Sequence, residues 1–201
     1  AKTPYHVFVS EVMLQQTQVL RVMGKYGEFV KKFPNFRILA DAPLSAVLRA
    51  WQGLGYNRRA LFLKRAAEEI VRAHGGEIPR DSSLLEVLPG IGPATARSIR
   101  AFAFNEPEVF IETNIRSVYI HFFFPKTENV SDKEIVPLVR KTLDRANPRE
   151  WYYALMDYGA SLKKSGVNPG RRSARHQKQS CFKGSVREAR GAVLRFLLQK
   201  D

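Results

Sequence analysis

Residues 88–92, Leu-Pro-Gly-Ile-Gly, place two glycines one residue apart, and a helix-compatible run follows from Thr95. Glycine tolerates positive φ, so this spacing predicts a tight turn. Such a turn leaves backbone N–H groups exposed at the N-terminus of the next helix, where the helix dipole favours an anion. Gly90 and Gly92 are therefore candidates for binding a phosphate through the backbone, a contact that sets register on DNA without reading its sequence. A plain corner between two helices is the alternative.

The charge of the chain indicates a polyanionic partner. Its 33 Lys and Arg residues outnumber 19 Asp and Glu residues, which gives a net charge of +14 and a pI near 10.2. Nucleic acid is the first candidate partner and an acidic membrane surface the second, while a general solubility charge is the alternative. Residues 163–201 hold 11 of the basic residues and only two acidic ones. We therefore expect much of the basic surface to come from this part of the chain.

Cysteine usage and hydropathy favour an intracellular protein. Cys181 is the only cysteine among the 201 residues, so they can form neither an internal disulfide nor a four-cysteine metal site. A reducing compartment fits this usage. No apolar run approaches the roughly 20 residues that span a bilayer, and no signal peptide is visible. We expect a cytoplasmic or nucleoid-associated protein that does not bind membranes.

The elements that must position these residues are predicted to be helices. Apolar residues recur at steps of three and four, and strict alternation over strand lengths is hard to find. Prolines separate about nine or ten such segments. The predicted fold class is therefore all-α, without a sheet of consequence.

The last part of the chain has a different pattern. Residues 165–184 are predicted to form a basic loop, and residues 185–199 return to helical spacing through Val193, Leu194, Leu197 and Leu198. Because such an apolar face needs burial, we expect a folded cap here rather than a free tail.

Five segments resemble, in order, five motifs of one enzyme family: residues 4–20, 51–56, 88–92, 111–118 and 156–160. The family is that of the A/G-mismatch adenine DNA glycosylases, in the helix–hairpin–helix superfamily that also includes endonuclease III. The resemblance covers about residues 4–163. It implies two helical lobes, 21–111 and 1–20 plus 112–201, with the active site in the cleft that separates them. It also implies a monomer that acts on double-stranded DNA with a mismatched or damaged base.

The resemblance assigns catalytic roles to three residues. Glu11 matches the acid that protonates adenine at N7, which requires a pKa raised by a dry pocket; the apolar neighbours Phe8, Val9 and Val12 are consistent with this. Glu112 falls where the superfamily keeps an acidic residue that stabilises the sugar cation. Asn114 matches a member of the hydrogen-bond network around the acids. Helix capping is the alternative role at residues 112–114.

The resemblance also implies DNA contacts. Gln16 matches a wedge that fills the gap left by a flipped base, and Tyr56 matches an aromatic that enters the stack beside the orphaned partner base. A helix-end amide and a core aromatic are the respective alternatives. The remaining residues expected to bind DNA come from the same two motifs or from the basic loop: Thr17, Leu54, Arg171, Arg172 and Arg175. For the loop, a merely solvated charged surface is the alternative.

The chain departs from the family where most members hold an iron–sulfur cluster. Lys163 stands at the position of the first of four cysteines, and Cys181 is alone. We therefore expect no cluster and no other metal cofactor, although the hairpin is a candidate site for a monovalent cation. Packing by Phe182, Val186, Val193 and Leu197 is expected to replace the cluster.

Two further departures concern the chemistry. Glu112 replaces the usual Asp, and Glu is not among the preferred N-caps, so a shifted geometry or a different substrate is expected. Ala94 replaces the Lys with which bifunctional members form a Schiff base, which predicts a monofunctional hydrolase. Two alternatives stay open: a thymine or uracil mismatch glycosylase of the same superfamily, and a DNA-binding relative that has lost catalysis.

Overall fold

A computed structural model describes residues 3–177 and 181–199, and the elements within these ranges are helical. The α-helices are α1 Pro4–Leu14, α2 Val19–Lys32, α3 Phe36–Asp41, α4 Leu44–Trp51, α5 Arg58–His74, α6 Ser82–Glu86, α7 Pro93–Phe104, α8 Thr113–Phe123, α9 Asp132–Thr142, α10 Pro148–Lys164 and α11 Val186–Leu197. A 3-10 helix spans Pro169–Arg172. Lys178 and Lys200 of the basic segment lie outside the described residues.

The all-α prediction is confirmed for the described part of the chain, where β-pairing is limited to one isolated bridge that joins Val130 to Ser173. The described residues form eleven α-helices rather than nine or ten. The difference comes from short helices such as α3 and α6, with six and five residues. Such helices are too short for a periodic pattern to reveal, because an apolar stripe needs two or more turns.

The chain separates into two compact units. The first comprises the described parts of residues 1–96 and 179–201, and the second comprises residues 97–177. The lobes expected from the sequence, 21–111 and 1–20 plus 112–201, have different boundaries. Residues 4–14 join the first unit because α1 packs against α2 and α5.

The first unit is organised around α1 and α5. Helix α1 starts with Pro4 at a position that needs no N–H donor, and the Thr3 hydroxyl caps it by accepting from the His6 N–H. Its residues are buried on most sides, and α5 contacts α1, α3 and α4. The largest side chains of this core are fully buried: Phe8, Phe29, Trp51, Leu63 and Ile70. This packing fixes the positions of the C-terminus of α1 and the N-terminus of α5.

The second unit is organised around α8, which packs against α9, α10 and the 3-10 helix. Gly159 in α10 explains part of the 156–160 motif. A Cβ on Gly159 would stand 2.8 Å from the carbonyl carbon of Asn114, so only glycine lets α10 approach α8 this closely. An aromatic cluster of Phe102, Phe110 and Tyr152 fills the unit beside this contact.

The expectation of a buried cap near the end of the chain is wrong for the described residues. Ser185 caps α11, as its sequence allows, but no residue of α11 is buried. Phe182, Val186, Val193 and Leu197 are all exposed, so they do not pack in place of a cluster. An amphipathic pattern predicts that a helix forms, whereas its burial depends on a partner surface that the pattern does not specify.

No helix among residues 3–177 and 181–199 combines the length and the apolar character that crossing a membrane requires.

Candidate DNA-binding and catalytic site

The hairpin turns at Gly90, which adopts a positive φ of 79°. A Cβ there would lie 2.8 Å from the Cβ of Phe62 in α5, so both the backbone and the packing require glycine. The sequence predicted a turn with positive φ from both glycines, but the φ of Gly92 is not positive. A Cβ added at Gly92 would meet nothing within 4 Å. The fold itself does not require glycine at position 92. Its exposed backbone instead leaves room for an external group.

Helix α7 starts directly after this open position, with Pro93 as its first residue. The Ala96 N–H already donates to the Gly92 carbonyl, at 2.9 Å. The N–H groups of the first turn have no intrahelical acceptors, and the helix dipole adds partial positive charge there. The hairpin and the start of α7 therefore form an anion-binding geometry.

Gln16 and Tyr56 share an unusual backbone. Both are non-glycine residues in the left-handed region, with φ of 54° and 46°, and both side chains are exposed, Tyr56 by 40%. Holding a residue in this region costs on the order of 1–3 kcal/mol, and such residues cluster at functional sites. The core-aromatic alternative for Tyr56 does not fit this exposure.

Thr17 and Leu54 turn inward rather than outward. Leu54 is 1% exposed, so the predicted contact of its side chain with DNA does not fit its burial. The Thr17 hydroxyl lies 3.4 Å from the Leu54 carbonyl and accepts a hydrogen bond from Arg59 at 2.7 Å. Both residues thus support the turns that carry Gln16 and Tyr56.

Two residues that the sequence analysis missed connect these parts of the first unit. The guanidinium of Arg59, at the start of α5, donates to carbonyls at the end of α1 and in the turn before Tyr56. Burial lowers the pKa of Arg59 to about 10, so the group remains a cation at neutral pH. The side-chain amide of Gln15 donates to the Gly90 carbonyl and to the Thr95 hydroxyl, both at 3.2 Å. The sequence signal for Arg59 is a basic residue in the first turn of the helix that follows a glycine-rich turn, and the adjacent Arg58 shares it.

Glu11 lies on a half-buried face of α1, adjacent to the buried Val12. Its role as a proton donor remains a prediction.

In the second unit, Glu112 is the N-cap of α8 in spite of its extra methylene. Its carboxylate accepts from the N–H groups of Asn114, at 2.6 Å, and Ile115, at 2.8 Å. Desolvation by burial raises the pKa of the Glu112 carboxyl above its usual range. The two N–H groups and the charges of Lys163 and Arg116 oppose this shift. The sequence predicted a shifted geometry for Glu112. In the structure, two backbone N–H donors hold its carboxylate in place.

Asn114 completes this arrangement with Lys163. The Lys163 ammonium, where the family has its first cluster cysteine, donates to the Asn114 side-chain carbonyl at 2.7 Å. Cys181 is exposed. The residues present therefore do not fit a four-cysteine cluster. Lys163, at the position of the first cysteine, instead contacts Asn114, two residues after Glu112.

The three arginines of the basic loop have different environments. Arg171 is exposed. Arg172 is half-buried and donates to the carbonyls of Phe124 and Thr127, which follow the end of α8, so its guanidinium stabilises the fold. Arg175 is largely exposed but forms an ion pair with Asp132 at 3.1 Å. The predicted DNA contacts fit Arg171 and Arg175 better than Arg172.

The described residues fold into helices and place a glycine hairpin at a helix N-terminus, an arrangement typical of the helix–hairpin–helix class of proteins. The chain belongs to the HhH-GPD superfamily of base excision DNA repair proteins, whose model matches residues 9–142. This confirms the resemblance to the superfamily that the motifs indicated.

Curated relatives and solved structures agree with this membership. Adenine DNA glycosylases from Buchnera aphidicola (strain Bp), Homo sapiens and Mycobacterium tuberculosis are 37%, 36% and 33% identical over 79–80% of this chain. The chain spans 46%, 30% and 54% of their respective lengths, about half or less. A thermostable thymine-DNA glycosylase, at 24% identity and a TM-score of 0.69, shares the fold over 80% of this chain and 75% of its own. An endonuclease III–DNA complex, at 20% identity and a TM-score of 0.62, shares the fold over 98% of this chain and 87% of its own.

Proposed function

We propose that this chain carries the catalytic region of a monofunctional DNA glycosylase that removes adenine mispaired with guanine or 8-oxoguanine. One observation carries the proposal: a single compact unit joins the Gly90 hairpin to two exposed side chains, Gln16 and Tyr56, at left-handed positions. Extruding a base requires that the protein bind the DNA backbone. It also requires side chains that fill the space the base leaves in the stack. The names of the curated relatives support adenine as the base.

Binding begins with a phosphate at the hairpin. The backbone N–H groups at the start of α7 donate hydrogen bonds to the phosphate oxygens, and exposed cations such as Arg171 add attraction that does not depend on sequence. Gln16 then fills the gap left by the extruded adenine, while Tyr56 enters the stack beside the partner base. These insertions offset part of the cost of unstacking, which is a few kcal/mol.

The chemistry requires two carboxyl groups in opposite protonation states. Glu11 donates its proton to N7 as the C1′–N9 bond breaks, and the bonding electron pair leaves with adenine. Glu112, held by two backbone N–H groups, acts as the carboxylate that stabilises the oxocarbenium ion. Water adds to C1′ and releases a proton, leaving an abasic site.

The product is expected to remain an intact strand. Ala94 is exposed at the start of α7 and has no amine, and α7 contains no lysine. The basic side chains of this helix are Arg97 and Arg100, whose guanidinium groups are not nucleophiles at neutral pH. Strand breakage should therefore require added alkali.

We also propose that the protein acts as an intracellular monomer on duplex DNA and without an iron–sulfur cluster. One thiol cannot replace four ligands, and Lys163 is engaged by Asn114. The purified protein should lack iron and any thiolate-cluster band near about 400 nm. A monovalent cation at the hairpin is compatible with this proposal.

The test is a panel of end-labelled duplexes containing A·8-oxoguanine, A·G, G·T or G·U, with A·T as the matched control, each developed with and without alkali. We expect breaks at adenine in the two mispairs, only after alkali, and no adduct on borohydride trapping. Excision of thymine or uracil would instead identify a pyrimidine mismatch glycosylase. Binding without any break would identify a relative that has lost catalysis, and a trapped adduct would contradict the monofunctional assignment.

A further inference from the structure

The guanidinium of Arg59 is positioned so that it donates to both the turn after α1 and the turn before α5. Nη1 donates to carbonyls at the end of α1: Val12 at 3.0 Å, Met13 at 2.8 Å and Gln15 at 2.5 Å. Nη2 donates to the Thr17 hydroxyl at 2.7 Å and to the Gly55 carbonyl at 3.2 Å. One side chain thus binds directly beside both left-handed residues, Gln16 and Tyr56.

The surroundings leave this guanidinium little freedom. Arg59 is 8% exposed, and its guanidinium carbon lies 5.2 Å from the Trp51 ring centroid and 5.6 Å from that of Tyr56. The carbonyls at the end of α1 carry the negative end of a helix dipole, which favours a cation there. The Tyr56 ring therefore rests against a cation that is itself fixed to the end of α1.

We propose that Arg59 is a positioning residue that holds the two DNA-entering turns in one fixed relation, so that Gln16 and Tyr56 enter the duplex together. The Thr17 hydroxyl, in the turn after α1, lies 3.4 Å from the Leu54 carbonyl in the turn before α5 and accepts from the same guanidinium. This proposal rests on the proposed function only in assuming that Gln16 and Tyr56 enter the base stack.

Lysine cannot perform this role equally well. A guanidinium is planar and offers donors in fixed, divergent directions, whereas an ammonium is a single point charge on a flexible stem. A lysine at position 59 would keep the charge and could bind the end of α1 or the Gly55 turn, but it could not hold both in one geometry. The proposal therefore predicts a loss of coordinated insertion even when charge is conserved.

The experiment separates base unstacking from phosphate binding and from folding. The probe is a duplex with 2-aminopurine directly 5′ to an adenine that faces 8-oxoguanine, because 2-aminopurine fluoresces more strongly when it is unstacked. The variants are Arg59→Lys, Arg59→Met and Thr17→Val, which removes only one of the Nη2 partners. Arg58→Met is the matched control, since Arg58 is the exposed neighbour in the same helix turn and its loss removes the same charge. Thermal unfolding of each variant is measured alongside.

We expect the wild-type chain and Arg58→Met to give the same fluorescence rise at saturating protein. Arg59→Lys and Thr17→Val should fold and bind the duplex but give a smaller rise. Their single-turnover excision should fall by about 10–100-fold, the loss that small misplacements produce. On a duplex whose target adenine is already unpaired in a bulge, the loss should be much smaller, because less unstacking is needed.

Several outcomes would overturn the inference. One is a full fluorescence rise with a folded Arg59→Lys variant. Another is an equal loss of rate on the paired and the bulged substrate, which a purely structural defect would give. A third is the absence of any rise with the wild-type chain. In contrast, a wild-type rise that Arg59→Lys reduces, without excision of any base, would contradict the proposed function and leave the positioning role of Arg59 supported.

Discussion

Replacing each hairpin glycine by alanine should separate folding from DNA binding. At Gly90, alanine must adopt a φ of 79° and place its Cβ 2.8 Å from the Phe62 Cβ and 3.1 Å from its Cδ2. The left-handed conformation costs about 1–2 kcal/mol for a residue with a Cβ. Overpacking typically adds about 1–3 kcal/mol. We therefore expect Gly90→Ala to destabilise the protein by at least about 2 kcal/mol and to lower its Tm by roughly 4 °C or more.

Gly92→Ala should have the opposite profile. The added Cβ meets nothing within 4 Å and the backbone is not left-handed, so the Tm should stay within about 1 °C of the wild type. The methyl group does, however, occupy the open space where a phosphate would approach the N–H groups of α7. Losing one charge-assisted hydrogen bond costs about 1.5–3 kcal/mol, which weakens binding by about 10–150-fold.

The assays are differential scanning fluorimetry and fluorescence anisotropy with a duplex over a series of salt concentrations. The salt slope is the slope of the logarithm of the binding constant against the logarithm of the salt concentration. Gly92→Ala should reduce its magnitude by about 0.9, the value for one phosphate contact. Unchanged affinity and slope in Gly92→Ala would refute the assignment of the phosphate site. Wild-type stability in Gly90→Ala would refute the packing argument, which the double variant Gly90→Ala/Phe62→Ala tests further, because removing the ring should restore part of the lost Tm.

The remaining predictions concern the acids and the basic loop. Glu11→Gln should bind DNA normally but lose single-turnover excision by about 10²–10⁴-fold, the usual contribution of general acid catalysis. Lys163→Met removes a charge that lowers the pKa of Glu112, so that pKa should rise further. Because the proposed mechanism requires an ionised Glu112, the acid limb of the pH–rate profile should move to higher pH. Arg172→Ala should cost about 1–3 kcal/mol of stability and leave the salt slope of binding unchanged, whereas Arg171→Ala should lower the slope by about 0.9 and leave the Tm unchanged.

Controls make each of these outcomes decisive. Lys164→Met removes the same charge as Lys163→Met, but Lys164 is exposed and is not among the groups that shift Glu112, so its pH profile should match the wild type. Wild-type excision by Glu11→Gln would remove Glu11 from the mechanism. A salt slope lowered by Arg172→Ala would place that side chain on DNA after all.

The helical class and the hairpin were predictable because their signals are local. An apolar stripe, a proline at a helix start and a pair of glycines act within a few residues of one another. The same is true of the Glu112 cap, whose carboxylate accepts from N–H donors two and three residues away. Even there the general preference for short caps underestimated Glu112, since cap preferences are averages and the longer side chain of this glutamate still reaches two backbone N–H groups.

Burial was the property that local patterns could not supply. The amphipathic spacing of residues 185–199 predicted a helix correctly, but α11 has no buried residue. Leu54 and Arg172 show the reverse, because both turn inward although their motif or charge suggested a DNA-facing surface. Which face is covered depends on the neighbouring elements, and a single segment does not contain that information.

What the sequence alone determined was the all-helical class, the glycine hairpin as a candidate phosphate site and the membership of a repair superfamily. Only the tertiary structure revealed how the parts are held together. Arg59 binds groups 42 to 47 residues away, and Gln15 reaches the hairpin 75 residues away. Such contacts arise because packing α1 against α5 brings distant backbone carbonyls to one side chain. No periodicity or motif records such contacts between distant residues, so the side chains that connect these turns became visible only in the folded chain.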